Sequence, residues 1–514
     1  PAPLADYKSN RRSDHGTEDL AYPATGGRNF REPALRVTHA DGDMNTELRY
    51  VSHASKQLSD KNVTETVVKM TDCCQALDVE LVFTAYAREN VITTHAVIRN
   101  REKGPVTLHS FYSSSLPLKA DKYLLTHLYG AWAREAQVDH TLLTHGSKSI
   151  ESTREVRTTH TENPAFLLTL NSDSFSETCG EVIAGALAWS GNFRLNFEVD
   201  EFDVLTVLAG ANPNASEYRL RPGETFTTPE MIYTHSFCGA GGASRNLHDW
   251  ARNYGIYHGH EVVPTLLNSW EGAYFKFDAK VLKQMIDDAA SMGLEMFVLD
   301  DGWFGNKYPR NNGETSLGDW TVCREKLPQG IEGLTESARK HGVKFGIWIE
   351  PEMTNTRSEL YEKHPDWVIQ QPYRENRKGR GGTQQVLDLS NPAVQEFVFG
   401  VVDRLMTAHP DIAYIKWDDN MTLYNYGSTF LPADRQSHLY IEYHRGMDKV
   451  LRRIREKYPR LVMQSCASGG GRVNYGVLPY YDEFWTSDNT DALQRIYMQW
   501  GVSNFYPAVA MASH

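Results

Sequence analysis

Ala413-Tyr414-Ile415-Lys416-Trp417-Asp418-Asp419-Asn420 is a short apolar run that ends in a cluster of charge. Ala-Tyr-Ile suits a buried strand. An ammonium, an indole, two carboxylates and a carboxamide follow directly. Desolvating so much polarity beside apolar side chains is costly unless partners are supplied. The competing reading is a strand followed by a solvated turn, where Asp and Asn are ordinary residues. The surrounding sequence separates the two.

From residue 264 onward the same pattern recurs. Apolar runs ending in polar residues occupy Thr265–Trp270, Glu295–Asp301, Lys344–Pro351, Gln385–Leu389, Ala413–Asp419, Leu461–Ala467, Glu483–Asn489 and Phe505–Ser513. Amphipathic helical stretches lie between most of them, at Ala279–Met292, Ile331–His341, Pro392–His409, Arg435–Lys457 and Asp491–Trp500. Eight strands in about 250 residues is the rhythm of a (β/α)8 TIM barrel, with near-continuous apolar strands and an active site at their C-terminal ends. Those ends read Asn268-Ser269-Trp270-Glu271, Leu299-Asp300-Asp301-Gly302-Trp303-Phe304, Trp348-Ile349-Glu350-Pro351-Glu352-Met353, Lys416–Asn420, Cys466–Arg472 and Trp485–Asp491. Carboxylates, a Lys, an Arg and several Trp therefore converge on one mouth, which a set of solvated turns does not explain.

Residues 1–240 read as a β-sandwich. Short strands are expected at Thr46–Val51, Thr64–Met70, Glu80–Ala85, Val91–Arg99, Val106–Leu116, Ala165–Leu170, Val182–Ser190, Phe193–Val199 and Phe202–Leu208, with turn signals such as Gly104-Pro105 and Pro222-Gly223 between them. No catalytic constellation is visible there, and a supporting or substrate-restricting role is expected. Residues 241–262 read as a helical linker, capped at Ser244. Residues 263–514 form the barrel.

The chain has 514 residues, 40% hydrophobic and 23% charged, with a net charge of −12. That is a soluble multidomain composition; the charge and the lack of a basic stripe argue against nucleic acid, and no apolar run is long enough to span a membrane. The 26 Tyr and 11 Trp suit flat, partly apolar ligands. Six scattered cysteines show no metal-type spacing and read as free thiols, which favours the cytoplasm, with a periplasmic or secreted location as the alternative. Sugars match such a mouth: their hydroxyls take carboxylates and carboxamides, and their apolar face packs on Trp. Glycosidic cleavage with retention needs two carboxyl groups roughly 5–5.5 Å apart, one attacking and one donating a proton. Asp418 and Asp488 form the natural pair, with Lys416 holding its neighbour ionised. Period two turns Lys416, Asp418 and Asn420 to one side and Asp419 to the other.

Several motifs together resemble the α-galactosidases of glycoside hydrolase family 36. These are Lys-Trp-Asp-x-Asn at Lys416–Asn420, Ser487-Asp488-x-x-Asp491-x-x-x-Arg495, Leu299–Phe304, Trp348–Met353 and Cys466–Arg472. Upstream, Phe30–Leu35 and Arg49–His53 resemble that family's N-terminal β-domain. The resemblance implies Asp418 as nucleophile, Asp488 as acid/base, and Asp300 and Asp301 on the galactose 4- and 6-hydroxyls. It further implies Lys416 and Asn420 on other hydroxyls, Trp270 and Trp348 shaping the pocket, and Cys466 and Gly469 near O2. It implies no cofactor, no metal, an α-galactoside oligosaccharide as substrate and a homo-oligomer. Glu350 and Glu352 are expected behind the site, and Asp491 and Arg495 are expected to form an ion pair.

The family usually carries an Arg just before the fourth strand, where Gly382-Thr383 stands here, so that Arg380 is the substitute to examine. An α-N-acetylgalactosaminidase or a transglycosylating synthase on the same scaffold stays open. So do a sugar-binding protein without activity and an enolase-type magnesium lyase, which would aim three carboxylates at one metal. Pro1 in place of Met, and an end at strand eight, lead to the expectation of a partial chain. It would be cut within the β-sandwich at one end, and before an eighth helix and a C-terminal β-domain at the other.

Overall fold

Alternation of β-branched and polar residues between positions 48 and 100 produces four long strands, Leu48–Gln57, Val63–Asp72, Leu77–Tyr86 and Val91–Asn100, each antiparallel to the next. In the computed structural model, which describes residues 20–26, 29–153, 157 and 159–513, they begin a ten-stranded sheet. It continues through Glu230–Ser236, Glu181–Ala188, Glu162–Leu170, Tyr123–Ala131 and Arg134–Leu142, with Thr225–Thr227 pairing at Val91–Asn100. Residues 1–19 of the sandwich expected over 1–240 lie outside the described residues. A four-stranded sheet (Gly146–Glu151, Phe193–Val199, Val204–Ala211, Ser114–Lys119) and a three-stranded one (Leu35–Thr38, Val106–Phe111, Tyr218–Leu220) complete the sandwich. Their apolar faces interdigitate with the large sheet, as where Phe166 meets Phe197 edge-to-face at 5.0 Å.

The single strand expected over Val106–Leu116 is two. The chain leaves the three-stranded sheet after Phe111 and enters the four-stranded one at Ser114, with Tyr112 and Ser113 buried in the corner. Apolar patterning runs straight through because both sheets need a buried strand there. The hairpin Tyr123–Ala131 and Arg134–Leu142 has no counterpart among the expected strands.

The connecting helix spans Gly239–Trp250 and ends in a π-helical turn, Ala251–Gly255. Ser244 is not its cap but lies inside it, where its hydroxyl bonds the Ala240 carbonyl (2.9 Å) and the Asn504 carbonyl (2.7 Å). The helix is a structural wedge more than a spacer. Ala240, Ala243, Leu247 and Trp250 are buried between Val182, Ala184 and Ile232 of the sandwich and Tyr475, Phe484 and Tyr506 of the barrel. Sandwich and barrel therefore share one apolar cluster.

The barrel sheet contains seven parallel strands in chain order: Leu266–Asn268, Met296–Leu299, Lys344–Ile349, Ile412–Trp417, Val462–Ser465, Glu483–Trp485 and Met511–Ala512. The run expected as an eighth stave, Phe505–Ser513, is a 3-10 turn, Ala508–Ala510, followed by a two-residue strand, and the run expected as a fourth stave, Gln385–Leu389, is not a stave at all. Strands three and four of this sheet pair directly, Phe345 with Ile412 through Ile349 with Trp417, which leaves that run no place between them. Instead Gln384–Val386 pairs antiparallel with Met353–Asn355 beyond the end of strand three. Its Val386, Leu387 and Leu389 still bury into the barrel core, so the apolar signal was real while the sheet position was not. Helices Ala279–Ser291, Glu332–Lys340, Pro392–Ala408, Leu439–Lys457 and Ala492–Ser503 surround the sheet. Among the described residues no helix is long and apolar enough to cross a membrane.

Because Trp250 packs edge-on against both Tyr86 (5.8 Å, sandwich) and Tyr475 (5.6 Å, barrel), truncating it opens the shared cluster. Trp250→Ala should cost about 3–5 kcal/mol in a urea unfolding measurement. A loss under about 1 kcal/mol would mean that the two halves do not stabilise each other through this residue.

Candidate active site

The end of strand Ile412–Trp417 sends alternate side chains to opposite sides, and each side has its own compensating cation. Toward the mouth, Asp418 Oδ2 accepts from Asn420 Nδ2 (2.6 Å) and Trp348 Nε1 (3.1 Å). Its Oδ1 accepts from the backbone of Asp419 (2.9 Å) and Ser468 (3.2 Å). Burial by itself would raise the Asp418 pKa; the Lys416 ammonium and hydrogen bonds from Asn420, Cys466 and Trp348 outweigh it and hold the group below its usual value. Lys416 in turn donates to Asp300 Oδ2 at 3.0 Å. Burial opposes the Lys416 charge, but the carboxylates of Asp300 and Asp418 overcome it and keep the ammonium protonated.

On the far side, Asp419 is buried and accepts from Arg472 at 2.7 Å. Arg472 also forks onto Glu352 (2.9 and 3.1 Å), which takes Trp417 Nε1 at 2.8 Å and the Tyr443 hydroxyl. Glu350 accepts from the Asn420 backbone (2.6 Å) and Gln384 Nε2 (2.7 Å). Both glutamates thus sit behind the residues that line the mouth.

The remaining expected site residues divide. Asp300 joins Lys416 and Asn268 Nδ2 (2.7 Å), whereas both oxygens of Asp301 are taken by the Arg310 fork (2.9 and 2.8 Å). Trp270 is half-buried beside Asn268, whose Oδ1 takes its backbone N–H at 2.7 Å, and it packs on Tyr274 and Phe275. Cys466 is buried with its thiol on Asp418, and burial pushes that thiol well up. Gly469 has φ +84°, and a Cβ there would stand 2.7 Å from the Asp488 backbone nitrogen. The turn Ser468-Gly469 thus touches Asp418 on one side and Asp488 on the other. Arg380 is exposed on a short 3-10 turn, Arg380–Gly382, and its charge is felt at Glu350.

Asp488 is exposed, and each carboxylate oxygen takes an indole: Trp485 on Oδ1 (3.1 Å) and Trp132 on Oδ2 (2.9 Å). Trp132 belongs to the sandwich hairpin, the half of the chain expected to support the site or restrict its substrate. The expected Asp491–Arg495 ion pair is also replaced. Asp491 caps the helix Ala492–Ser503 through Gln494 N (2.9 Å), and Arg495 donates to the carbonyls of Ser487 and Ala512, both at 2.8 Å. Reasoning from sequence gave no role to Asn268, Arg310 and Trp132. The first opens the strand end Asn268–Glu271 and could be read there. The hairpin residue carried no such signal.

Residues 225–514 match the model of the Melibiase family, and residues 1–221 match that of the glycosyl hydrolase family 36 N-terminal domain. The chain belongs to glycoside hydrolase family 36. It is 37% identical to alpha-galactosidase AgaA of Geobacillus stearothermophilus, covering 96% of this chain and 68% of that protein. It is 34% identical to alpha-galactosidase 2 of Pediococcus pentosaceus, over 96% and 69%. The crystal structure of an AgaA variant in complex with raffinose superposes with a TM-score of 0.92 at 35% identity, covering 96% of this chain and 70% of that one. The Lactobacillus brevis α-galactosidase gives 0.92 at 35%, over 96% and 67%.

In this family member, Glu350 supplies a pH signature. Burial, then the charge of Asp418, pushes its pKa up to about 8. In the unfolded chain the value is ~4.3. A raised folded-state value means the native protein binds the extra proton, so the contribution is full below the unfolded value and is lost as pH rises toward the folded one. Urea midpoints should therefore decline from about pH 4.5 to about pH 8 in the wild type, and Glu350→Gln should flatten that decline. An unchanged slope in the variant would place the proton elsewhere.

Proposed function

We propose that this chain removes terminal α-linked galactose from oligosaccharides by double displacement, with Asp418 as nucleophile and Asp488 as acid/base. The observation that carries this reading is the setting of Asp418. It is a buried carboxylate kept ionised by Lys416 and oriented by five hydrogen-bond donors, across a two-residue turn from a second, exposed carboxylate. A nucleophile needs that ionised, immobilised state. The relatives' names, all α-galactosidases, support the same substrate class for this chain.

In the first step an Asp418 oxygen attacks the anomeric carbon while the Asp488 carboxyl protonates the departing glycosidic oxygen. This leaves a β-linked galactosyl ester and a free aglycone. In the second step Asp488, now a carboxylate, takes a proton from water, which attacks the anomeric carbon, releases Asp418 and restores the α configuration. Asp300 and Asp301 are assigned to the 4- and 6-hydroxyls. Asp300 carries the Lys416 charge beside it, and Asp301 is held rigid by Arg310, so it offers only its remaining lone pairs. Lys416 and Asn420 contact other ring hydroxyls, Trp270 and Trp348 shape the apolar walls, and Cys466 and Gly469 flank O2. A lyase using three carboxylates on one metal fits less well, because Asp300, Asp301 and Glu352 are each paired with a separate cation. The exposed free thiols Cys73, Cys74, Cys179 and Cys238 suit a reducing cytoplasm.

Turnover of an aryl α-galactoside should exceed that of the matching α-N-acetylgalactosaminide; the reverse order would change the assigned sugar. Asp418→Ala should lose about 10³-fold or more in kcat and, with azide, yield the β-galactosyl azide. An α-azide would place the nucleophile elsewhere. Asp488→Ala should lose about 10²–10⁴-fold in kcat/KM on poor leaving groups and far less on activated aryl substrates. Equal losses on both would remove Asp488 from the acid role.

A further inference from the structure

Next to the loop that carries Asp488 lies a buried carboxylate to which the acid/base reading gives no task. Glu135, on the sandwich strand Arg134–Leu142, is 4% exposed, and burial pushes its carboxyl up. Its partners are those of a loop clamp more than of an ion pair. Oε2 accepts from the Ser487 hydroxyl, Oε1 lies 3.4 Å from the Gly470 N–H, and His160 stands off at 4.0 Å while bonding the Ser468 carbonyl at 2.7 Å. A Cβ on Gly469 would come within 2.8 Å of Oε1, so the glycine is what lets Glu135 approach the turn.

The same hairpin reaches the neighbours of Ser487. Trp132 donates to Asp488 at 2.9 Å, and Asn489 Nδ2 donates to the Ala133 carbonyl at 2.9 Å. Three consecutive residues, Ser487, Asp488 and Asn489, are thus each tied to the hairpin, and Glu135 is the carboxyl that the hairpin itself contributes to these ties. Burying a carboxyl on neutral donors is costly relative to an apolar contact, so its place here asks for a function. Arg495, which bonds the Ser487 carbonyl, feels the charges of both Glu135 and Asp488.

We propose that Glu135 is a positioning residue for the proton-transfer step, holding Ser487 and the Gly469-Gly470 turn so that the Asp488 carboxyl meets the glycosidic oxygen. The inference rests on the reading of Asp488 as acid/base. It is tested by kcat/KM, which reports the first step alone, on an activated dinitrophenyl α-galactoside and on raffinose, comparing wild type, Glu135→Gln and Asp488→Ala. Glu135→Gln should lose about 10–100-fold on raffinose but less than about threefold on the activated substrate, a fraction of the full acid contribution.

Equal losses on the two substrates, or none, would overturn the positioning role and leave Glu135 as a structural contact. If Asp488→Ala splits the substrates and Glu135→Gln does not, only the Glu135 role falls. If neither splits them, both readings fall. A split in Glu135→Gln alone would make Glu135 the proton donor and overturn both as stated. Should Glu135→Gln not fold, Ser487→Ala removes the same link from the barrel side and should give the same split, with equal losses again overturning the role.

Discussion

Two successive carboxylates at the end of one strand cannot both face a substrate, and the structure depends on how their charges are separated. Asp419 turns inward to Arg472, which it shares with Glu352 in a group of side chains 2% exposed or less. Removing Arg472 from such a group strands buried carboxylates, a penalty of about 3–5 kcal/mol. That tether fixes the rotation of the strand end, and with it the outward direction of Asp418, Lys416 and Asn420. Lys416 then compensates Asp418 and Asp300 together. The setting of Asp418, the proposed nucleophile, is thus defined by what its neighbour does behind the barrel wall as much as by its own contacts.

The second carboxylate is arranged differently. Asp488 is exposed and takes its orientation from two indoles, one from its own strand end and one from the sandwich. The sandwich also lines the loop after strand Val462–Ser465, through His160 on Ser468, Thr159 on Gly471 and Asn163 on Val473. With the cluster around Trp250 joining the two halves, the mouth of the barrel is a composite surface, and the sandwich reaches the side of it that carries Asp488.

This division explains what could be read in the sequence. The barrel's residues are adjacent in sequence to the strand ends they serve, so apolar runs followed by charge exposed Asp300, Lys416, Asp418 and Asp488, and period two separated Asp418 from Asp419. The hairpin contribution depends on a fold contact more than 350 positions distant, and its turn hides itself. Trp132-Ala133 closes it with Ala133 at φ 58°, where an Asn-Gly or Asp-Gly pair would have announced it. Gln385–Leu389 misled in the opposite way, since an apolar run reports burial and not which neighbour it pairs with. Asp491 and Arg495 have ion-pair spacing, yet a helix N-terminus with open N–H groups and two bare carbonyls claimed them first.

The central claim is that Asp418 forms the covalent bond to the sugar. Incubation with a 5-fluoro-α-galactosyl fluoride, whose fluorine slows turnover of the intermediate, followed by proteolysis and mass spectrometry of the labelled peptide, tests it directly. The account predicts one galactosyl adduct on the peptide carrying Lys416–Asn420, at Asp418, and none in Asp418→Ala. An adduct on Asp488, Asp300 or Asp419 would contradict it.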